Sequence, residues 1–145
     1  MTGTSPGEPR AEPATVRRHE IELRMLAVRE HVPGLRALLA DRAIRAEHKL
    51  DFVDDVQLAA DEVCAIMLAN CAPTDVLTVR LLVDQHCVEI SASAPATGKP
   101  VVSSLSLRVL QALADSLDYW VEDTACARIF RLDFARSRPS AMPPF

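Results

Sequence analysis

Two adjacent carboxylates, Asp61 and Glu62, stand in the middle of a stretch that is otherwise almost entirely apolar, Val56 to Cys71. Glu62 lies one helical turn before Ile66, on the flank of the apolar stripe, where a charged group loses solvation. A glutamate there either reaches water from the edge of the stripe or is kept for a reason that its neighbours must supply. Thiols and imidazoles are the other groups able to do chemistry. Cys64 and Cys71 share one side of the same helix and His86 adjoins Cys87, which leaves room for a metal or redox site. However, Cys64, Cys71, Cys87 and Cys126 form no Cys-x-x-Cys pair, and His19, His31, His48 and His86 show no short ligand spacing. No metal is expected, and reduced, mostly buried thiols are.

The carboxylates must be positioned by a helix. Phe52, Val56, Ala59, Val63, Ile66, Met67 and Asn70 recur at steps of three and four, the repeat of one helical face. Asp51 or Asp54 is the expected N-cap. Before it, Glu20 to Val28 alternates apolar and polar residues like a half-buried strand. Pro33 then opens a helix whose buried face is read as Leu35, Leu38, Leu39 and Ile44. After it, Val76 to Val83 and Cys87 to Ala92 flank Asp84-Gln85-His86 as a hairpin. Leu107, Leu110, Leu113, Ala114 and Leu117 form a further helical stripe, and Val63 and Leu110 are expected where helices meet the sheet. Asp118 to Glu122 and Arg128 to Ala135 read as two last strands. This order predicts an α/β two-layer sandwich, a largely antiparallel mixed sheet with helices on one face.

The domain is placed at residues 19–135. Residues 1–18 carry almost nothing apolar and are expected to be a disordered tail; the proline-rich 136–145 is expected to be loose as well. A chain of 145 residues suits one such domain. Net charge is −4, with the 16 basic residues scattered rather than striped, so direct nucleic-acid binding is not expected. No apolar run approaches the roughly 20 residues that span a bilayer, and no secretory signal is read at the start. A cytoplasmic protein without membrane contact is the expectation.

Leu58 to Cys64, Leu-Ala-Ala-Asp-Glu-Val-Cys, resembles the Leu-Ala-x-Ser/Asp-Glu-Ala-Cys run of the RsbW-type anti-sigma factors, serine-protein kinases of the GHKL superfamily with a Bergerat-like ATPase fold. The resemblance covers roughly residues 20–135 and is most like an actinobacterial branch with eroded nucleotide boxes. It makes Glu62 the position of the general base. The asparagine that holds magnesium four residues later in the family is Ile66 here, and a hydrocarbon cannot coordinate a hard cation. The family's Asp-x-Gly-x-Gly loop, whose acid reads adenine, corresponds to Ser91-Ala-Ser-Ala-Pro-Ala-Thr-Gly98, which has no acid and one glycine. Ser104 to Asp115 is similar to Gly-x-Gly-Leu-x-Leu-Val-x-x-Leu-Ala-Asp with serines at both glycine positions, Ser104 and Ser106. Serine there is a good N-cap, but the phosphate cradle relies on glycine's lack of a Cβ. The stretch from Gly98 to Ser104 is also far too short for an ATP lid.

The resemblance therefore implies an anti-sigma factor that sequesters an alternative sigma factor and is released by a STAS-domain anti-anti-sigma protein through partner switching. Glu62 would be vestigial, and no cofactor is expected. Glu30-His-Val-Pro-Gly-Leu-Arg36 is similar to the family's Glu-x-Val-x-x-x-Arg, whose arginine faces the sigma factor, so Arg36 and Glu30 are the candidate partner contacts. A homodimer is left open. Two alternatives stand beside this reading. One is a working serine-protein kinase with ATP and magnesium held by unusual ligands such as Asn70, Ser104 and Ser106. The other is a silent module binding a response regulator or another signalling protein.

Overall fold

Alternation of apolar and polar side chains builds the sheet. The computed structural model describes residues 18–139. Strand β1 (His19–Leu26) leads through a short 3-10 turn (Arg29–His31) into helix α1 (Val32–Arg45), which is followed by helix α2 (Leu50–Ala69). The hairpin β2 (Val76–Val83) and β3 (Cys87–Pro95) follows, then helix α3 (Ser104–Leu113) and the hairpin β4 (Ser116–Asp123) and β5 (Arg128–Ser137). The strands are ordered β1-β2-β3-β5-β4, and every neighbouring pair is antiparallel. The sheet is therefore antiparallel throughout, not mixed: each hairpin closes on itself, and β5 rather than β4 pairs with β3.

Register carries the core across all five strands. Ile21, Leu81, Ile90, Phe134 and Leu117 are successive cross-strand partners on the inner face. Leu81, Ile90 and Phe134 are buried, and all three belong to the same core as Val56, Val63 and Met67 of α2 and Leu110 of α3. The opposite face, with Glu20, Glu22, Arg24, Arg80 and Asp133, is exposed. The result is two layers, with the three helices on one side of the sheet.

Several local expectations are corrected. On α1 the buried residues are Leu35, Leu39 and Ala43, whereas Ile44 is 53% exposed. Steps of four from Leu35 reach Ala43, so Ile44 is turned about 100° away from the core. Helix α2 has Lys49 as its N-cap, with no side-chain cap bond; Asp51 lies in the first turn, where its charge suits the helix dipole without capping. Strand β1 ends at Leu26 rather than Val28, while β3 runs three residues past Ala92 to Pro95, so residues 93–95 are paired strand rather than loop. Strand β5 includes Arg136 and Ser137, which belong to the sheet instead of the expected loose tail. Of the expected tails, residues 1–17 and 140–145 lie outside the described residues. No helix among the described residues is long and apolar enough to cross a membrane.

The α1–α2 elbow is tied to the β2–β3 hairpin by His48. Its ring stacks on Phe52 with centroids 4.3 Å apart, and Nε2 lies 2.7 Å from the Asp84 carbonyl oxygen. That bond requires the proton on Nε2, which leaves Nδ1 buried without a partner. Burial is the main cause that lowers the imidazole's pKa below 6.5; Arg138 and His86 act in the same direction, and Asp84 opposes them. The unfolded chain therefore takes up this proton first. The titration of His48 should leave stability independent of pH above about 6.5 and lower it as pH drops below that, until the lower folded pKa is passed. Chemical denaturation of wild type and His48→Gln across this window checks the sign, since the difference between the two should shrink as pH falls.

Candidate functional site

Helix α2 lies between α1 and α3 and packs against both, so its two flanks lead to different places. Gln57 and Asp61, four residues apart, face α1: Gln57 Nε2 donates to the Arg36 carbonyl oxygen at 3.3 Å, and Arg36 Nε lies 3.0 Å from Asp61 Oδ1. The latter contact is an ion pair rather than an aligned hydrogen bond. Burial pushes the Asp61 carboxyl up from its ordinary pKa, Arg36 draws it down, and the neighbouring charge of Glu62 pushes it up again, leaving it raised. Asp61 is thus partly desolvated beside the Arg36 guanidinium.

The same residue lines a groove of about 620 Å³ between the 3-10 turn and α2. Glu30 and Arg29 stand on one wall and Asp61, Cys64, Ala65 and Leu68 on the other. The candidate contacts Glu30 and Arg36 are therefore brought together around Asp61, Glu30 through the groove and Arg36 through the ion pair. No motif in the sequence links Asp61 to either residue. Its spacing of four from Gln57 is the only trace of this in the sequence, and it becomes informative only once the flank is known to face α1.

Glu62 is half-buried and has no ion-pair partner among the described residues. It shares its flank with Asp55, two turns earlier, which pairs with Arg136 Nη2 at 3.0 Å. Four residues after Glu62, Ile66 is only 2% exposed and packs in the core. Asn70 is the C-cap of α2, and its amide is fully engaged. Nδ2 donates to the carbonyl oxygens of Ile66 at 2.8 Å and Val101 at 3.0 Å, while Oδ1 accepts the Val101 N–H at 2.8 Å.

At the start of α3 the N-cap is Ser103, not Ser104: its Oγ accepts from the Ser106 backbone N–H at 3.4 Å. Ser104 is exposed in the first turn and Ser106 is buried, so the two serines do not converge on one ligand. Gly98 has nothing within 4 Å of where a Cβ would stand, so no contact within the protein requires a glycine there. Ile66 is thus a hydrocarbon packed in the core, and the Asn70 amide is spent within the protein. Among the described residues no three His, Cys, Asp or Glu converge as a metal site. Cys64 is buried with its thiol pushed up to about 12 by burial, and only Cys126 is exposed, which suits unreactive thiols at the former.

No family model matches the chain. Over 103 aligned residues it is 39% identical to the anti-sigma-F factor RsbW of Mycobacterium tuberculosis, in strain CDC 1551 / Oshkosh and equally in strain ATCC 25618 / H37Rv. The chain is a relative of the RsbW-type anti-sigma factors. The alignment takes in 67% of this chain and 59% of RsbW, so the chain spans less than two-thirds of the curated relatives it matches. The five-stranded sheet backed by three helices agrees with the fold expected of an RsbW-like domain.

Proposed function

We propose that this chain is an anti-sigma factor: it sequesters a sigma factor, using the α1 side of the helical layer, and is released when a STAS-domain antagonist competes for an overlapping surface. The reading is carried by the 39% identity to anti-sigma-F factor RsbW. The groove beside Glu30 and Asp61, with Arg36 fixed at its neighbour, supplies a surface on which such a contact can be built. Release works by exchange of partners, without phosphoryl transfer to the antagonist. Supporting this part are the buried Ile66 at the magnesium position and the Asn70 amide spent on Val101. Glu62 is then a remnant with no proton to abstract.

Two titrations test the proposal. Calorimetric titration of the full chain with the sigma factors of its own genome should find one that binds with a dissociation constant near micromolar or below, and the absence of any would overturn the role. Titration with magnesium ATP should give no binding tighter than about 1 mM, or about −4 kcal/mol. A micromolar constant for ATP, together with labelled phosphate appearing on the antagonist, would instead make the protein a working serine kinase.

A further inference from the structure

The connection from β3 to α3 is exposed from residue 97 to 99 and again at Val101, which is 74% exposed. A surface segment of this kind has few buried contacts to hold it and ordinarily belongs to the low-stability part of a domain. Here it is tied at three points. The Ala96 N–H donates to the Arg128 carbonyl oxygen at 2.9 Å at one end. At the other, Val102 packs on the core and Ser103 caps α3. Between them Asn70 reaches across from the end of α2 and pairs with both backbone groups of Val101.

The chemistry of that pairing is specific. One short side chain must accept from an N–H and donate to a carbonyl of the same residue, while its second amide hydrogen satisfies the Ile66 carbonyl oxygen that the helix end would otherwise leave unpaired. Only a primary amide has this inventory, since a carboxylate cannot donate and a hydroxyl has a single hydrogen. The pairing reproduces a two-bond strand contact with a side chain in place of the second strand.

We infer that Asn70 is a lock: it closes the 97–103 connection onto the C-terminal end of α2 by bonds within the chain, so that this face keeps one conformation whether or not nucleotide is added. In a protein that orders such a segment by binding a ligand, the segment's state reports the ligand. With the lock built into the chain, that dependence is lost. The small pocket of about 370 Å³ lined by Asn70, Thr97, Gly98, Lys99 and Pro100 is bounded by this closed segment. The inference deepens the nucleotide-independent reading above, but its test needs no partner, so failure of the sigma-factor titration and failure of the lock are separate results.

Residue-resolved hydrogen exchange on the full chain is the experiment. In the wild type the Val101 amide should exchange at least about tenfold more slowly than those of Gly98 and Lys99, with no change on adding millimolar magnesium ATP. In Asn70→Ala the Val101 amide should exchange as fast as those neighbours, while amides of β2 and β3 keep their protection. A wild-type Val101 amide as fast as Lys99, or one slowed only by magnesium ATP, would overturn the lock. So would protection of Val101 that survives in Asn70→Ala. If Asn70→Ala unfolds the domain, shown by loss of protection in β2 and β3, the two wild-type measurements decide the matter alone.

Discussion

Leu110→Ala is expected to lower the stability of the domain by roughly 2–5 kcal/mol, whereas the same change five residues earlier, Leu105→Ala, should stay within about 0.5 kcal/mol. Both residues lie on α3, and because leucine and alanine are both strong helix formers, the propensity change is small at either position. They differ in surroundings: Leu110 is fully buried in the core shared by α2 and the sheet, and Leu105 is 70% exposed. Truncating Leu110 removes packed methyl groups and leaves a cavity that the five-stranded sheet cannot collapse to fill. Against a typical total of about 5–15 kcal/mol, that loss takes a large share of the fold's margin. Urea denaturation of the two variants beside wild type measures it, and equal midpoints for Leu110→Ala and Leu105→Ala would mean that α3 is turned the wrong way on the sheet.

Arg36→Ala is expected to weaken binding of the sigma factor by about 2 kcal/mol or more, roughly thirtyfold, while leaving the unfolding midpoint nearly unchanged. The two halves follow from one observation. Arg36 is paired with Asp61, but the two side chains are 43% and 36% exposed, and an ion pair so open to water contributes only about 0–1 kcal/mol to folding. For binding the pair matters differently. Asp61 and the Gln57 contact to the Arg36 backbone hold α1 and α2 in fixed relation, so the guanidinium is presented with less orientational freedom left to lose on association. It retains further N–H donors for a partner. Glu62→Ala is the control: on the opposite flank of α2 from Asp61, it should change sigma binding by less than about 0.5 kcal/mol. Calorimetric titration of the three proteins against one sigma factor checks this. An Arg36→Ala variant that binds as tightly as wild type would move the interface away from α1.

Periodic signals were legible in the chain by itself because they are local. The three-and-four spacing from Phe52 to Met67 marks α2 and its buried face, and the alternation in β1, β2 and β5 marks which side chains turn inward. Val63 and Leu110 were placed in the core by the same rule, and the polar Asp84-Gln85-His86 link marked the first hairpin. From these periods and the order of elements a two-layer sandwich follows, since each element has one apolar face to cover. The motif around Glu62 pointed to the RsbW relationship, and the absence of an acid between Ser91 and Gly98 was visible as plain text.

What only the tertiary structure decided are the contacts between residues that no spacing links. Asn70 and Val101 are 31 positions apart, and nothing in either neighbourhood says that the amide of one will pair with the backbone of the other; it takes the packing of α3 beside α2 to bring the connection within reach. Arg36 and Asp61 meet because α1 and α2 pack along one flank, which also sends the adjacent Asp61 and Glu62 to different sides of the same helix. The choice of Ser103 over Ser104 as the cap of α3, and of Ala43 over Ile44 for the buried face of α1, are one-residue phase decisions. Neighbouring residues carry nearly the same local preference in such cases, and what separates them is which one the rest of the fold leaves facing the core or the free N–H groups.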